Sequence, residues 1–251
     1  MSIEQKLERI REEVSVCRRC GLGKGRTKSV PGEGPAQVEI MFIGEAPGFY
    51  EDRQGKPFVG QAGQFLDELL KAAGLSREQV FITNVVKCRP PSNRDPLPEE
   101  LGACQEYLDE QIRLLNPKVI VTLGRISMGK FIERGRIGII HGRAHNVEGK
   151  KVVTMYHPAA ALHQPALRQT LIEDFARLKK FIGSGAPSAQ TDRAVEGGPE
   201  QTPIQKQTNE IGVSQIDKNF KKEDSSVRVS SDEPIQEDSK PELPPEQLSL
   251  F

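Results

Sequence analysis

Long apolar runs are missing from this sequence. No stretch approaches the roughly 20 apolar residues that a helix needs to cross a bilayer, so a helical membrane protein is excluded. The N-terminus, MSIEQKLERIREEV, sets charges where a signal peptide needs an apolar segment, and the chain is expected in the cytosol. Cysteine is scarce, with four in 251 residues. In a cytosolic protein these read as metal ligands or reduced thiols rather than as disulfides. Net charge is absent too, because 35 Lys and Arg balance 35 Asp and Glu. The balance is uneven along the chain: residues 184–251 hold seven basic and thirteen acidic residues, leaving 28 and 22 for residues 1–183. A basic body with an acidic tail is compatible with a polyanionic ligand, and equally with an ordinary solvated surface.

The length suits one α/β domain with residues to spare. Ile3, Leu7, Ile10 and Val14 recur at helical spacing and predict a helix over 3–16. Apolar runs predict strands at 38–43, 80–85, 119–123 and 152–155. Between them, helices are predicted over 62–73 (closed by Gly74), 98–115 and 126–133, with a last one over 165–182. Residues 135–150, rich in Gly and Arg, read as a hairpin or loop. Strands alternating with helices predict a three-layer αβα sandwich around a central, mainly parallel four-stranded sheet. In such sheets, ligands bind beyond the carboxyl ends of the strands. Three segments of unusual composition sit at those ends: Gly44–Gly48, Asn84–Arg94 and His157-Pro158. Their convergence is the argument for a single active site that needs only the strand positions.

From Gly183 onward Ser, Gln, Pro, Asp, Glu and Lys dominate, with seven prolines between Pro187 and Pro245. Such a segment cannot bury enough apolar surface to offset its ordering entropy and is expected to be disordered. The chain thus divides into a folded domain (1–183), a disordered acidic linker (184–246) and an abruptly apolar terminal peptide (247–251).

The cysteines are spaced Cys17-x2-Cys20, then Cys88-x15-Cys104. Four thiolates suit either a closed zinc site or a [4Fe–4S] cluster. Zinc ribbons favour two compact Cys-x2-Cys knuckles, whereas the second pair here is spread over a loop and a helix, which leans towards a cluster. Spacing alone does not separate the two metals.

GEAPGFYEDRQGKPFVGQAG (44–63), TNVVKCRPPSNRDPLPEE (83–100) and MYHPAAALHQPALR (155–168), with the cysteine pattern, resemble the family 4 (type 4) iron–sulphur uracil-DNA glycosylases. The resemblance spans about residues 1–183 and implies a base-flipping enzyme. That enzyme hydrolyses the N-glycosidic bond of uracil in single- or double-stranded DNA and leaves an abasic site for base excision repair. It implies a [4Fe–4S] cluster on Cys17, Cys20, Cys88 and Cys104, and a uracil site lined by Glu45, Ala46 and Pro47. Phe58 would stack on the flipped pyrimidine, and the Asn84 amide would meet its O4 and N3–H edge. His157 would face O2 and stabilise the departing uracil anion. In better-known relatives an aspartate stands at the place of Ala46 and positions the attacking water, so here Glu45 or Glu51 takes that task.

Arg89, Arg94, Arg143 and Arg168 are the candidate phosphate contacts, and Leu162 is a positional candidate for a wedge into the space left by the base. His141, His145 and His163 are read as surface residues. A covalently trapping branch of the superfamily carries KRRIH in the loop after the second strand. The loop here reads KCRPPSNRDP, and turnover is expected.

Gln247, Leu248, Ser249, Leu250 and Phe251 resemble the pentapeptide by which bacterial proteins bind the replication sliding clamp. On a flexible tether it would concentrate the enzyme near DNA in a bacterial, nucleoid-associated cytoplasm. An asymmetric DNA task suits a monomer. Two other readings stand beside the glycosylase: a non-catalytic iron–sulphur DNA-binding or redox-sensing protein, and the same enzyme class with a broader range of deaminated bases.

Overall fold

Alternation within the strands sets the layers. In the computed structural model, which describes residues 1–183, β1 (Ile40–Gly44) sends Ile40 and Phe42 to one side of the sheet and Met41 and Ile43 to the other. β2 (Phe81–Asn84), β3 (Val119–Leu123), β4 (Arg143–Val147) and β5 (Lys150–Met155) complete one sheet in the order β2-β1-β3-β5-β4. β1 is parallel to β2 and β3, and β3 to β5. With both faces covered, β1, β2 and β3 are buried along their whole length.

On one face the helices Gln61–Ala72 and Leu167–Ala176 bury Phe65, Leu66, Leu69, Leu70, Leu171 and Phe175 against the sheet. The Phe42 and Phe175 rings stack at 5.9 Å. On the other face the helix Pro98–Leu115 buries Leu108, Ile112 and Leu115. The helix Ile3–Val16 lies behind it, with Ile10 and Val14 beside Tyr107 and Leu114. A reciprocal cap starts that N-terminal helix: Gln5 N donates to Ser2 Oγ at 3.3 Å, and Ser2 N to Gln5 Oε1 at 2.8 Å. The three-layer αβα sandwich is the architecture expected.

Three expectations are corrected. The sheet has five strands, because Arg143–Val147 pairs antiparallel with β5. The turn joining them, Glu148-Gly149, has positive φ at both residues (50° and 78°), as a tight hairpin requires. After a separate short helix, Ala160–His163, the last helix is not continuous over 165–182 but runs as Leu167–Ala176 and Lys179–Gly183. Gln164 sits between the first two of these helices at φ −131°, where the following Pro165 disfavours the helical region. The short helix after β3 ends at Gly129 rather than at residue 133. Among the described residues no helix is long and apolar enough to cross a membrane. The linker and terminal peptide assigned to 184–251 lie outside the described residues.

Candidate active site

The parallel strands deliver their carboxyl ends to one edge of the sheet, and a cleft of about 430 Å³ opens there. Its walls include Glu45, Ala46, Pro47, Gly48 and Glu51 from the segment after β1, Phe58 from the next loop, Asn84 from the end of β2, and His157 after β5. Pro90, Asn93, Arg94 and His163 complete the rim. The structure therefore brings together in one cleft Glu45, Ala46, Pro47, Phe58, Asn84 and His157, the residues expected at the uracil site.

Gly44 makes the close approach possible. A Cβ there would lie 2.4 Å from Asn84 Oδ1 and 2.7 Å from Phe58 Cζ, so no other residue leaves both in place. Asn84 is buried, and its Oδ1 has no hydrogen-bond partner. A buried acceptor left open costs free energy unless a ligand meets it. Its backbone is held from behind. Lys87, fully buried, donates from Nζ to Asn84 O (2.8 Å), Thr83 Oγ1 (2.6 Å) and Gln111 Oε1 (2.8 Å). Burial pushes the Lys87 ammonium down to about 8, with the Cys104 thiol opposing. Gln111 Nε2 donates on to Pro31 O at 2.7 Å. All three ammonium donors are thereby used.

Phe58 has φ +52°, a strained value for an aromatic residue. Its surroundings impose it: Arg77 donates to Phe58 O (2.9 Å) and Pro57 O (2.6 Å), and Gly63 leaves room where a Cβ would strike Phe58 O at 1.9 Å. The Phe58 ring stacks on His157, with centroids 5.5 Å apart and planes 27° apart. The aromatic is buried, as any core residue would be, yet it is also cleft wall.

His157 Nδ1 accepts from Ala159 N at 3.1 Å. Burial pushes the imidazole down to about 4, with the Glu51 charge opposing. At neutral pH the ring is therefore uncharged, and the proton sits on Nε2, available as a donor.

The two carboxylates differ. Glu51 accepts from Val59 N (2.8 Å) and Gly60 N (2.9 Å) on Oε1, and from Gly48 N (3.1 Å) on Oε2. It clamps the loop bearing Phe58 to the segment after β1. Glu45 is half-buried; burial and then the neighbouring Asp95 raise its carboxyl above the ordinary value, with Arg125 opposing.

The arginines divide as well. Arg94 borders the cleft, but its guanidinium is bound in two-point contact to the buried Glu100 at 2.7 and 2.8 Å. Arg168 lies over the Phe65 ring and pairs with Glu68. Arg143, at the start of β4 opposite Thr154, is exposed; neither it nor Arg168 is among the residues walling the cleft. Arg89 Nε donates to Asn93 Oδ1 at 2.7 Å, which places it at the rim. Leu162 is exposed on the short helix Ala160–His163 that forms part of the same border. Of the histidines read as surface, His163 is exposed at the rim. His145 is half-buried in β4. His141 is engaged instead, 2.6 Å from the buried Asp174 carboxylate and against the Tyr156 ring. Lys87 and Arg77 had no signal in the sequence, since nothing local marks a lysine as buried or an arginine as a loop clamp.

The four cysteines wall a second cavity, with Val14, Arg26, Lys87 and Tyr107 among its other residues. Cys17 caps the N-terminal helix, Cys88 lies in the loop after β2, and Cys104 is on the helix Pro98–Leu115. Arg26 Nη1 donates to Cys88 Sγ at 2.9 Å, and Lys87 N to Cys104 Sγ at 3.3 Å. Burial pushes the Cys104 thiol up to about 11 and raises Cys88 as well. Among the described residues no three His, Cys, Asp or Glu side chains are placed to hold a single metal ion. The donor set, four sulfurs around one cavity with N–H groups directed at two of them, has the chemistry of a thiolate site for a metal or a metal cluster.

A family model described as the uracil DNA glycosylase superfamily matches residues 31–179. The chain is similar to the type-4 uracil-DNA glycosylase of Sulfurisphaera tokodaii, 49% identical over 70% of this chain and 84% of that protein. That of Archaeoglobus fulgidus is 46% identical over 73% and 97%, and that of Thermotoga maritima 44% identical over 71% and 96%. On this footing the chain belongs to the uracil DNA glycosylase superfamily, with its type-4 enzymes.

Proposed function

We propose that this protein removes uracil from DNA by hydrolysing the bond between base and deoxyribose, leaving an abasic site. The single observation that carries the reading is the pairing, across one cleft, of a buried open acceptor, Asn84 Oδ1, with a neutral donor, His157 Nε2. Uracil presents an N3–H donor and O2 and O4 acceptors. The Asn84 oxygen takes N3–H, and its amide nitrogen takes O4. Cytosine reverses both at that edge and is refused. Phe58, next to both groups, supplies a ring face for the pyrimidine.

As the C1′–N1 bond breaks, its electron pair passes into the uracil ring and onto O2. His157 Nε2–H meets that charge without having to become charged itself, a preorganised donor of the kind that accounts for much enzymatic rate enhancement. Water bonds to C1′ and releases a proton. Glu45 orients that water and accepts the proton; burial and then Asp95 raise its carboxyl, which makes it the stronger base for that step. Glu51 is held by three backbone amides and acts through loop position instead.

Arg89 and Arg143 are the free phosphate contacts, because Arg94 and Arg168 already hold Glu100 and Glu68. Cys17, Cys20, Cys88 and Cys104 would hold a [4Fe–4S] cluster. When bound it serves as a cross-link, fixing the N-terminal helix to the loop that follows Asn84. Residues 247–251 are a peptide for a bacterial sliding clamp, and the enzyme works as a cytoplasmic monomer.

The test is release of free uracil from single- and double-stranded oligonucleotides by cluster-loaded protein. Release from either form supports the reading, and none from both overturns it. A panel with hypoxanthine and other deaminated bases sets the breadth of the substrate range.

A further inference from the structure

Among the described residues, Phe49 and Tyr50 alone of the aromatic side chains stand exposed, at 44% and 54%. They are neighbours in space as well as in sequence, edge to face, with centroids 5.4 Å apart. They also sit at the mouth of the cleft. Gly48 and Glu51, on either side of the pair, are cleft walls. Tyr50 lies against Gly60, where a Cβ would be 3.3 Å from its ring, and Gly60 N is bound by Glu51. Two guanidinium groups cover Phe49, Arg53 at 5.4 Å and Arg89 at 5.2 Å from its centroid. Among the described residues neither arginine has a carboxylate partner, unlike Arg94 and Arg168. Arg89 is tied through Asn93 to the cleft rim.

Two adjacent exposed aromatic rings at the mouth of a cleft form a patch of the kind that marks a ligand-contact surface. Two unpaired guanidinium groups beside it select an anionic partner, and the adjoining cleft is sized for one nucleotide. We infer that Tyr50, buttressed by Phe49, is a stacking platform for the unpaired nucleobase next to the uracil in the same strand, with Arg53 and Arg89 taking the intervening phosphate. The inference rests on the uracil reading of the cleft. A base inside a duplex already has both faces covered, so the platform acts on single-stranded flanks. It gives the enzyme a preference for single strands that the cleft alone does not.

The test is a cycle between protein and substrate. Binding is measured by fluorescence anisotropy to a short single strand with one central deoxyuridine, and to the same strand with an abasic analogue replacing the base on the 5′ or the 3′ side. Tyr50→Ala should weaken binding to the full strand by roughly tenfold, the scale of one lost base–aromatic stack. It should leave binding to one of the abasic-flanked strands at the wild-type level, and Tyr50→Trp should restore the loss. Duplex binding should change by less than about twofold. Equal affinity of Tyr50→Ala and wild type for the full strand overturns the platform, as does an equal loss on both abasic-flanked strands. Uracil release by the wild type is scored separately. Release without the binding cycle rejects the platform alone, whereas the binding cycle without release supports a nucleobase platform and rejects the enzymatic reading of the cleft.

Discussion

The cleft and the cysteine cavity share one stretch of chain, Asn84–Cys88, yet treat polar groups in opposite ways. In the cleft an acceptor is buried with nothing to meet it, and a neutral imidazole nitrogen is left as a donor. Around the cysteines the donors are used up: Arg26 serves Cys88 Sγ, Ser15 O and Cys17 O, and Lys87 serves three oxygens. A region with open polar groups suits a ligand that comes and goes, and a saturated one suits permanent structure. The two are welded through Lys87, whose side chain holds Asn84 and whose backbone N–H is given to Cys104.

Breaking the saturated side should have the largest effect on stability. With the cluster proposed above in place, Cys88→Ala is expected to lower the iron content and to cost several kcal/mol of unfolding free energy, because the cross-link between three separate elements would be lost. Thermal unfolding and iron analysis check it. Uracil release should fall in parallel, since Asn84 is on the same stretch. A Cys88→Ala protein with wild-type melting and wild-type iron would erase the contrast between the regions.

The cleft should show its cost in acid. The His157 imidazole is held at about 4 in the fold, against 6.5 when free. As pH falls through 6.5, the unfolded chain takes up the proton first. Stability is therefore full above 6.5, erodes between 6.5 and about 4, and loses no more below that. The total from this group is roughly 3 kcal/mol. His157→Gln should flatten that part of the curve by a comparable amount, measured by urea unfolding at pH 7 and pH 4. An unchanged slope would mean that the ring is not desolvated in solution.

Single changes to the open groups should damage rate far more than fold. Asn84→Asp and His157→Ala are each expected to lower uracil release by about 100-fold, the scale of one preorganised contact in a transition state. Wild-type rates in both would remove the site assigned here.

Much of the fold was legible because parallel strands buried on both faces read as short continuous apolar runs. Val119–Leu123 is the clearest. β4, Arg143–Val147, was not, since an edge strand with mostly exposed side chains has no apolar period to find. The meeting of Glu45, Asn84 and His157 followed from strand ends, which sequence does indicate, whereas Phe58, in a loop between two helices, was placed there only by the family resemblance. The division of labour among like residues did not. Glu45 and Glu51 look alike on paper, and only the fold shows three amides aimed at one of them. Lys87 is the extreme case. Lysine is almost never fully buried, and what permits it here is a set of acceptors that includes Gln111 from another element. The terminal peptide, by contrast, is a reading of sequence alone and lies outside the described residues.

The smallest effect expected is also the one that separates the two carboxylates by sign. Glu51→Gln replaces a charged acceptor of three N–H bonds with an amide that can serve only some of them. It should cost about 1–2 kcal/mol, and it should lower activity by loosening the loop that carries Phe58. Glu45 is different, because burial and Asp95 both raise its carboxyl. Its folded pKa lies above its unfolded one, so its ionisation works against the fold at neutral pH. Glu45→Gln removes that charge and should leave stability unchanged or higher, while uracil release falls. Chemical unfolding at pH 7 beside single-turnover release gives both readouts. If Glu45→Gln destabilised the protein as Glu51→Gln does, Glu45 would be another loop clamp, and the water would need a different partner.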